Sequence, residues 1–249
     1  MLAIVSAMPE EIAGVLEALQ RAELRTYGGR DFHLGTFQGR EAVAVFSRLG
    51  KVAAAATVTQ LISAFPVSEL IFGGVAGALQ PGLHIGDIIV ASALIQHDMD
   101  ASPLFPRYEV PLLGKARFVP PTALRVRLLH AARQFAAQEL RATVASEQLE
   151  FFGIRTPQIH EGLIASGDKF FASEAEINGL RQRLPAAACV EMEGAAVAQV
   201  CDEYEVPYAV LRTISDAGDE SAVHDFPRFA REISHHYLRG IMARYLGHS

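Results

Sequence analysis

Val190-Glu191-Met192-Glu193-Gly194-Ala195-Ala196 and, further along, Arg212-Thr213-Ile214-Ser215-Asp216 decide how this chain is read. In each, an acid stands where an apolar, strand-like run ends and a helix or loop begins. Ala186 to Val190 is small and apolar, and so is the helix-like Ala195 to Val200 that follows. A buried carboxylate costs several kcal/mol unless something pairs with it, so packing alone does not explain these acids. In open α/β sheets ligands bind in the crevice at the carboxyl ends of strands. Three acids at two strand ends therefore read as a site. The competing reading is a set of helix-start acids facing solvent and favoured by the macrodipole.

Working outward, short β-branched runs alternate with amphipathic stretches. The strand candidates are Leu2–Val5, Ala42–Phe46, Leu70–Phe72, Asp87–Ala91, Leu163–Ala165, Ala187–Val190 and Tyr208–Ile214. The helix candidates are Glu10–Arg21, Val52–Phe65, Thr122–Gln138, Glu174–Arg183, Gly194–Tyr204 and Phe226–Tyr245. Ile12, Val15, Leu16 and Leu19 recur at helical spacing. Alternation of this kind predicts an α/β fold, a central mixed twisted sheet flanked by helices. With no repeat or linker in its 249 residues, the chain is expected to form a single domain over 1–249. One long irregular stretch, His97 to Pro121, holds five prolines. Its apolar Leu104-Phe105-Pro106 is expected to pack on a ligand or another subunit.

Composition narrows the function. A net charge of -6 without a basic patch argues against a nucleic-acid partner. Charges, Gly and Pro break every apolar stretch short of a membrane span. The chain enters a strand-like run at Leu2 with no basic leader, which predicts no signal peptide. Two cysteines, Cys189 and Cys201, make no disulfide framework, and the expected compartment is the cytoplasm. None of the nine histidines has the spacing of a zinc-binding helix, so no metal is expected.

Three further segments invite chemistry. Ser6-Ala7-Met8-Pro9-Glu10-Glu11 ends the first strand and offers two acids at a helix start, one to face inward toward water and one to stay solvated. Gly73-Gly74-Val75-Ala76-Gly77 reads as a glycine turn after a strand, where a ligand approaches the backbone closely; it matches neither a Walker loop nor the dinucleotide fingerprint. Ser166-Gly167-Asp168-Lys169-Phe170-Phe171 sets two aromatics after a turn, suited to stacking on a planar base.

Together these segments, with His84-Ile85-Gly86-Asp87-Ile88-Ile89-Val90, resemble the nucleoside phosphorylase/nucleosidase superfamily, and within it the methylthioadenosine/S-adenosylhomocysteine nucleosidases. They stand in family order and span nearly the whole chain. The resemblance implies hydrolysis of an N-glycosidic bond that releases adenine from a 5′-thio-substituted ribose, in a homodimer without a cofactor. It assigns Asp216 as the acid at adenine N7, Ser215 as its orienting neighbour, and Glu11 as the base for the attacking water. Glu193 would hold the ribose hydroxyls beside the Met192 backbone, and Phe170 would stack on adenine while the Phe171 backbone reads its edge. Glu191 is placed with the substrate-binding set, its role chemical or structural. An acid role requires Asp216 to carry a proton near neutral pH, raised by burial and neighbouring acids. The chain departs from the common pattern at Pro9, at Phe171, in the loop from His97 to Leu113, and at Val75, where many relatives carry Ser.

Rival readings remain. A phosphorylase of the same fold needs cations for phosphate, yet Ser6 to Gly14 contains no Arg or Lys and Phe72 stands where many phosphorylases have Arg. Arg48 is the residue that would restore that reading. A non-catalytic purine-nucleoside binding module needs no base aimed at water. An aminodeoxyfutalosine hydrolase would keep the same acids and differ only at the 5′ pocket.

Overall fold

The first strand, β1 (Leu2–Ser6), is buried along its whole length. Leu2 and Ile4 join one core cluster while Ala3 and Val5 join another. A strand with a core on each face reads as a continuous apolar run, and this one does. The computed structural model describes residues 1–216 and 222–247. Among them β1 is joined by β2 (Gln20–Tyr27), β3 (Arg30–Phe37), β4 (Arg40–Phe46), β5 (Glu69–Ala78), β6 (Ile88–Gln96), β7 (Ile159–Ser166), β8 (Ala187–Glu191) and β9 (Tyr208–Asp216). The sheet order is β2-β3-β4-β1-β5-β8-β7-β6-β9, and a further β5–β9 pairing closes the last five strands into a ring. β1 runs parallel to β4 and β5, whereas β5 and β8 are antiparallel, so the sheet is mixed.

Helices α1 (Pro9–Ala18), α3 (Thr122–Gln138) and α9 (His235–Leu246) cover one face. On the other lie α2 (Lys51–Ala64) and α7 (Gly194–Glu203), with α6 (Glu174–Arg183) over the β7–β8 end. Short helices α4 (Leu140–Thr143) and α5 (Ser146–Phe151) follow α3, and α8 (Ala222–Phe229) precedes α9. The fold is the α/β arrangement of a central mixed sheet flanked by helices that the alternating pattern implies.

Several boundaries differ from the sequence expectation. Helix α1 stops at Ala18, and the chain turns at once into β2, whose residues are all exposed. No apolar face marks β2 in the sequence, because it is a hairpin arm paired only with β3. The Gly73–Gly77 run is no turn: β5 passes straight through it to Ala78. Phe226–Tyr245 is divided between α8 and α9, with a π-helical turn at Ala230–Ser234 between them. The irregular stretch after β6 forms only isolated bridges, Leu94 with Phe118 and Val110 with Lys115.

Candidate active site

The β1–α1 junction, the second half of β5, the β8–α7 junction and the end of β9 deliver most of the side chains around one cavity of about 410 Å³, joined by residues that follow β4 and β7 and by α8. Its lining includes Met8, Glu11, Val75, Phe170, Glu191, Met192, Glu193, Ser215 and Asp216, together with Leu49 and Phe226. The residues that the sequence singled out are thus brought together. Phe171 lies one step aside, in a narrow extension shared with Met192 and Asp216, its ring packed on His97 at 5.4 Å.

Glu11 and its neighbour Glu10 part company at the start of α1. Glu10 is exposed and Glu11 is buried. The chain enters the helix through Pro9, and Glu11 folds back so that one carboxylate oxygen accepts from the Ala7 and Met8 N–H groups, both at 2.9 Å. The other accepts from Val75 N–H at 2.9 Å. Burial raises its pKa above the ordinary carboxylate value, against the pull of Arg212 and these N–H donors.

Close packing of carboxylates against β5 explains its glycines. A Cβ on Gly74 would lie 2.6 Å from Glu11 Oε1 and 2.7 Å from Arg212 Nη1. One on Gly77 would lie 3.0 Å from Asp216 Oδ1. What approaches the backbone here is therefore the protein's own charged groups.

Asp216 owes its aim to a bulge. In the β5–β9 ladder Ala76 faces Ile214 and Gly77 faces Asp216, leaving Ser215 as the extra residue. Such a bulge re-aims the side chain that follows it. The Ser215 hydroxyl donates to Asp216 Oδ2 at 2.7 Å.

Glu191 and Glu193 differ sharply. Glu191 receives Arg212 through Nε and Nη2, the Ser166 hydroxyl, and the N–H groups of Glu193 and Gly194. Its oxygens are filled by the protein, so it pins the β8–α7 turn. Glu193 Oε1 accepts from Gly50 N–H at 2.7 Å, and among the described residues no hydrogen bond reaches its Oε2. Burial first, and then the Glu191 charge, push the Glu193 pKa up to about 8.

Sequence reasoning passed over Arg212. Its side chain is 1% exposed, stacks on Phe72 at 4.3 Å, and faces Glu191, Glu193 and Glu11. Burial works against this cation, but the three carboxylates outweigh it and hold its pKa above the ordinary value. The signal was present, since an Arg inside the apolar run Ala209 to Ile214 demands buried anions nearby.

Among the described residues no Lys or Arg lines the main cavity, and Lys169 lines only its narrow extension beside Phe171. Arg48 is exposed and donates to the Gly29 carbonyl at 2.6 Å, away from it. No group of three His, Cys, Asp or Glu side chains is arranged for a metal ion, again among the described residues. Nor is any described helix long and apolar enough to cross a membrane. The loop after His97 does not line the cavity, and its Leu104 and Leu112 project outward, 84% and 94% exposed. Chemically, the arrangement offers an acid held by a hydroxyl, a buried base held by three N–H groups, and a half-free carboxylate between them.

Comparison with known proteins agrees with this fold. The family model described as phosphorylase superfamily matches residues 1–246. An aminodeoxyfutalosine nucleosidase of Helicobacter pylori strain J99 is 37% identical over 233 residues, 93% of this chain and 92% of its own. A 5′-methylthioadenosine/S-adenosylhomocysteine nucleosidase of Anoxybacillus flavithermus is 35% identical over 237 residues, 94% and 93% of the two chains. The crystal structure of 5′-methylthioadenosine/S-adenosylhomocysteine nucleosidase from Neisseria meningitidis, in complex with methylthio-immucillin-A, superposes with a TM-score of 0.86 at 28% identity, over 98% of this chain and 97% of that one.

Proposed function

The chain belongs to the phosphorylase superfamily, and on that premise we propose that it hydrolyses the N-glycosidic bond of 5′-methylthioadenosine and S-adenosylhomocysteine. The products are adenine and the 5′-thio-substituted ribose. The observation that carries this reading is the meeting of Glu11, Glu193 and Asp216 on one cavity whose main chamber, among the described residues, is lined by no Lys or Arg. A phosphate dianion needs cationic or N–H donors, and Glu11 would repel it; water needs a base, and Glu11 supplies one.

In the proposed reaction adenine stacks on Phe170, with the Phe171 backbone at its Watson–Crick edge. Asp216, held by Ser215, gives its proton to N7. The C1′–N9 bond breaks with its electron pair moving into the purine, and positive charge develops on the sugar. Water adds its oxygen to C1′ and loses a proton to Glu11. Glu193, in its ionised form, accepts from the ribose hydroxyls through its free Oε2, beside the Met192 backbone. Val75 contributes its N–H, which fixes Glu11, and its methyl groups as cavity wall. Every step is a proton transfer or a displacement at carbon, so the reaction calls for no cofactor.

A second reading is favoured by the Helicobacter pylori relative: the same hydrolysis acting on aminodeoxyfutalosine. It keeps each of these residues and changes only what fills the 5′ side, toward Leu49. The exposed Leu104 and Leu112 of the long loop support a homodimer in which that loop meets the second subunit. We further place the chain as a single domain over 1–249, in the cytoplasm, with a role in methionine salvage.

Adenine release from 5′-methylthioadenosine, followed with and without phosphate, tests the reading. Adenine and free methylthioribose in phosphate-free buffer are expected. Turnover only with phosphate, giving a sugar 1-phosphate, would mean a phosphorylase, and binding without turnover would mean a binding module. Faster turnover of aminodeoxyfutalosine would select the second reading.

A further inference from the structure

The loop that meets Glu193 is itself held from outside the cavity. Gly50, whose N–H bonds Glu193 Oε1, sits at φ +92, and a Cβ there would lie 3.0 Å from Asp168 Oδ1. The next N–H, of Lys51, donates to that same Asp168 oxygen at 2.7 Å. The Lys51 ammonium reaches across to Asp98 Oδ1 at 2.7 Å and Gln96 Oε1 at 3.0 Å. Asp98 Oδ2 in turn accepts from Asp168 N–H at 2.9 Å, which closes the circuit. Segments following β4, β6 and β7 are thus tied together, and the knot delivers one N–H to the β8–α7 junction.

We propose that Lys51 is a positioning residue: its ammonium, through Asp98 and Asp168, fixes the Gly50–Lys51 backbone so that Gly50 N–H holds Glu193 Oε1 and turns Oε2 toward the ribose hydroxyls. The inference rests on the hydrolase reading above. Two observations support it beyond the distances. Burial alone would raise the Asp98 pKa, yet the Lys51 ammonium and the Asp168 N–H bring it below the ordinary value, so Asp98 stays ionised across neutral pH. And Asp98 and Asp168 are both exposed. The side chains of the Lys51–Asp98 pair are 16% and 32% exposed, and a partly exposed pair adds only modestly to stability, so the knot has its main effect through the Gly50 N–H that it delivers to Glu193.

The test compares wild type with Lys51→Met, Asp98→Asn and the double variant, measuring kcat and KM for 5′-methylthioadenosine across pH, with thermal midpoints alongside. The groups facing Glu193 from elsewhere, namely Glu191, Arg212 and Glu11, are untouched in all three. Losing a hydrogen bond to a charged acceptor is expected to move the Glu193 limb of the kcat/KM profile upward by about one pH unit. KM should rise about tenfold with a smaller change in kcat, and the double variant should lose no more than Lys51→Met alone. Should Lys51→Met fold poorly, Asp98→Asn carries the same profile test. No turnover by the wild type overturns the hydrolase reading and this inference together. Wild-type turnover with unchanged profiles in folded variants, or equal losses in kcat at every pH, overturns the positioning role alone.

Discussion

At the start of β5, Glu69 is buried and meets two guanidiniums, Arg40 at 2.7 Å and Arg127 at 2.8 Å. Around the other half of the same strand, Glu11, Glu191 and Glu193 share the single guanidinium of Arg212. The first arrangement gives one acid an excess of cations that stay partly in water, 37% and 38% exposed. The second gives three acids one cation that is almost wholly buried. Folding favours the first, because desolvated charge is costly unless it is matched. An unmatched excess of carboxylate at one end of a strand, beside a cavity, is what chemistry on a developing sugar cation requires. On the proposed reading the difference separates Glu69, which serves the fold, from Glu11 and Glu193, which serve the reaction and share Arg212 with the turn-pinning Glu191.

The largest effects should come from the unmatched end. Asp216→Asn and Glu11→Gln are each expected to lower kcat for adenine release by about 10²–10⁴-fold, the usual contribution of a positioned acid or base. Asp216→Asn should leave the thermal midpoint near that of wild type, since it replaces a protonated acid with an amide of the same shape, whereas Glu11→Gln should lower it, because the amide nitrogen cannot accept from the N–H groups that hold both carboxylate oxygens. A variant with near-wild-type turnover would remove that residue from the reaction. For Asp216 a second readout exists, a group titrating above the ordinary Asp value in the pH–rate profile, absent in Asp216→Asn.

Removing the shared cation should unfold rather than merely slow the protein. Arg212→Met leaves Glu191 buried with its strongest partner gone, and a loss of about 3–5 kcal/mol is expected in urea unfolding. Adding Glu191→Gln should restore part of it, because the orphaned charge goes too while Ser166 and the N–H groups still have an acceptor. If the double variant is as unstable as the sum of both changes, the pair does not act as a unit.

How much of this comparison was legible beforehand depends on whether its cause is local. Glu11, Glu193 and Asp216 stand out as acids where apolar strands end, and the limits of α3 and α6 follow from helical spacing and the charged ends of Glu174–Arg183. β2 was hidden because an exposed hairpin arm has no apolar period to read. The Gly73–Gly77 run looked like a turn because glycine breaks strands when nothing needs the space, and the charged groups that need it come from α1 and β9. Arg212 was missed for the same reason: its significance lies in three carboxylates from separate segments. The bulge at Ser215 leaves no sequence mark, as it is a register shift against β5. Lys51 drew no notice beside Arg48, although Arg48 is the one that faces away.

Glu193 offers a quieter probe, in pH rather than rate. Unfolded, it ionises near 4.5; folded, near 8. Below the first value both states hold the proton and the site imposes no charge penalty. Between the two values only the unfolded chain releases it, so stability falls as pH rises, and the fall ends above the folded value. Glu193→Gln removes this dependence. The urea midpoint of the variant should therefore gain on wild type from about pH 5 to about pH 8, while its KM for substrate rises. A difference that stays constant with pH would show that Glu193 ionises as an ordinary carboxylate.

The smallest effect is expected at the matched end, and it is the control that gives the others meaning. Arg40→Met leaves Glu69 still bonded to Arg127 and near water, so the loss should stay below about 1 kcal/mol, as for other partly exposed pairs. Turnover and its pH profile should not change, because Glu69 opens the strand whose far half lines the cavity. Arg127→Met should cost slightly more, since its guanidinium also stacks on Tyr245 at 3.7 Å. If either substitution altered the pH dependence of catalysis, the two ends of β5 would be electrostatically coupled, and the division between folding carboxylate and reacting carboxylates would not hold.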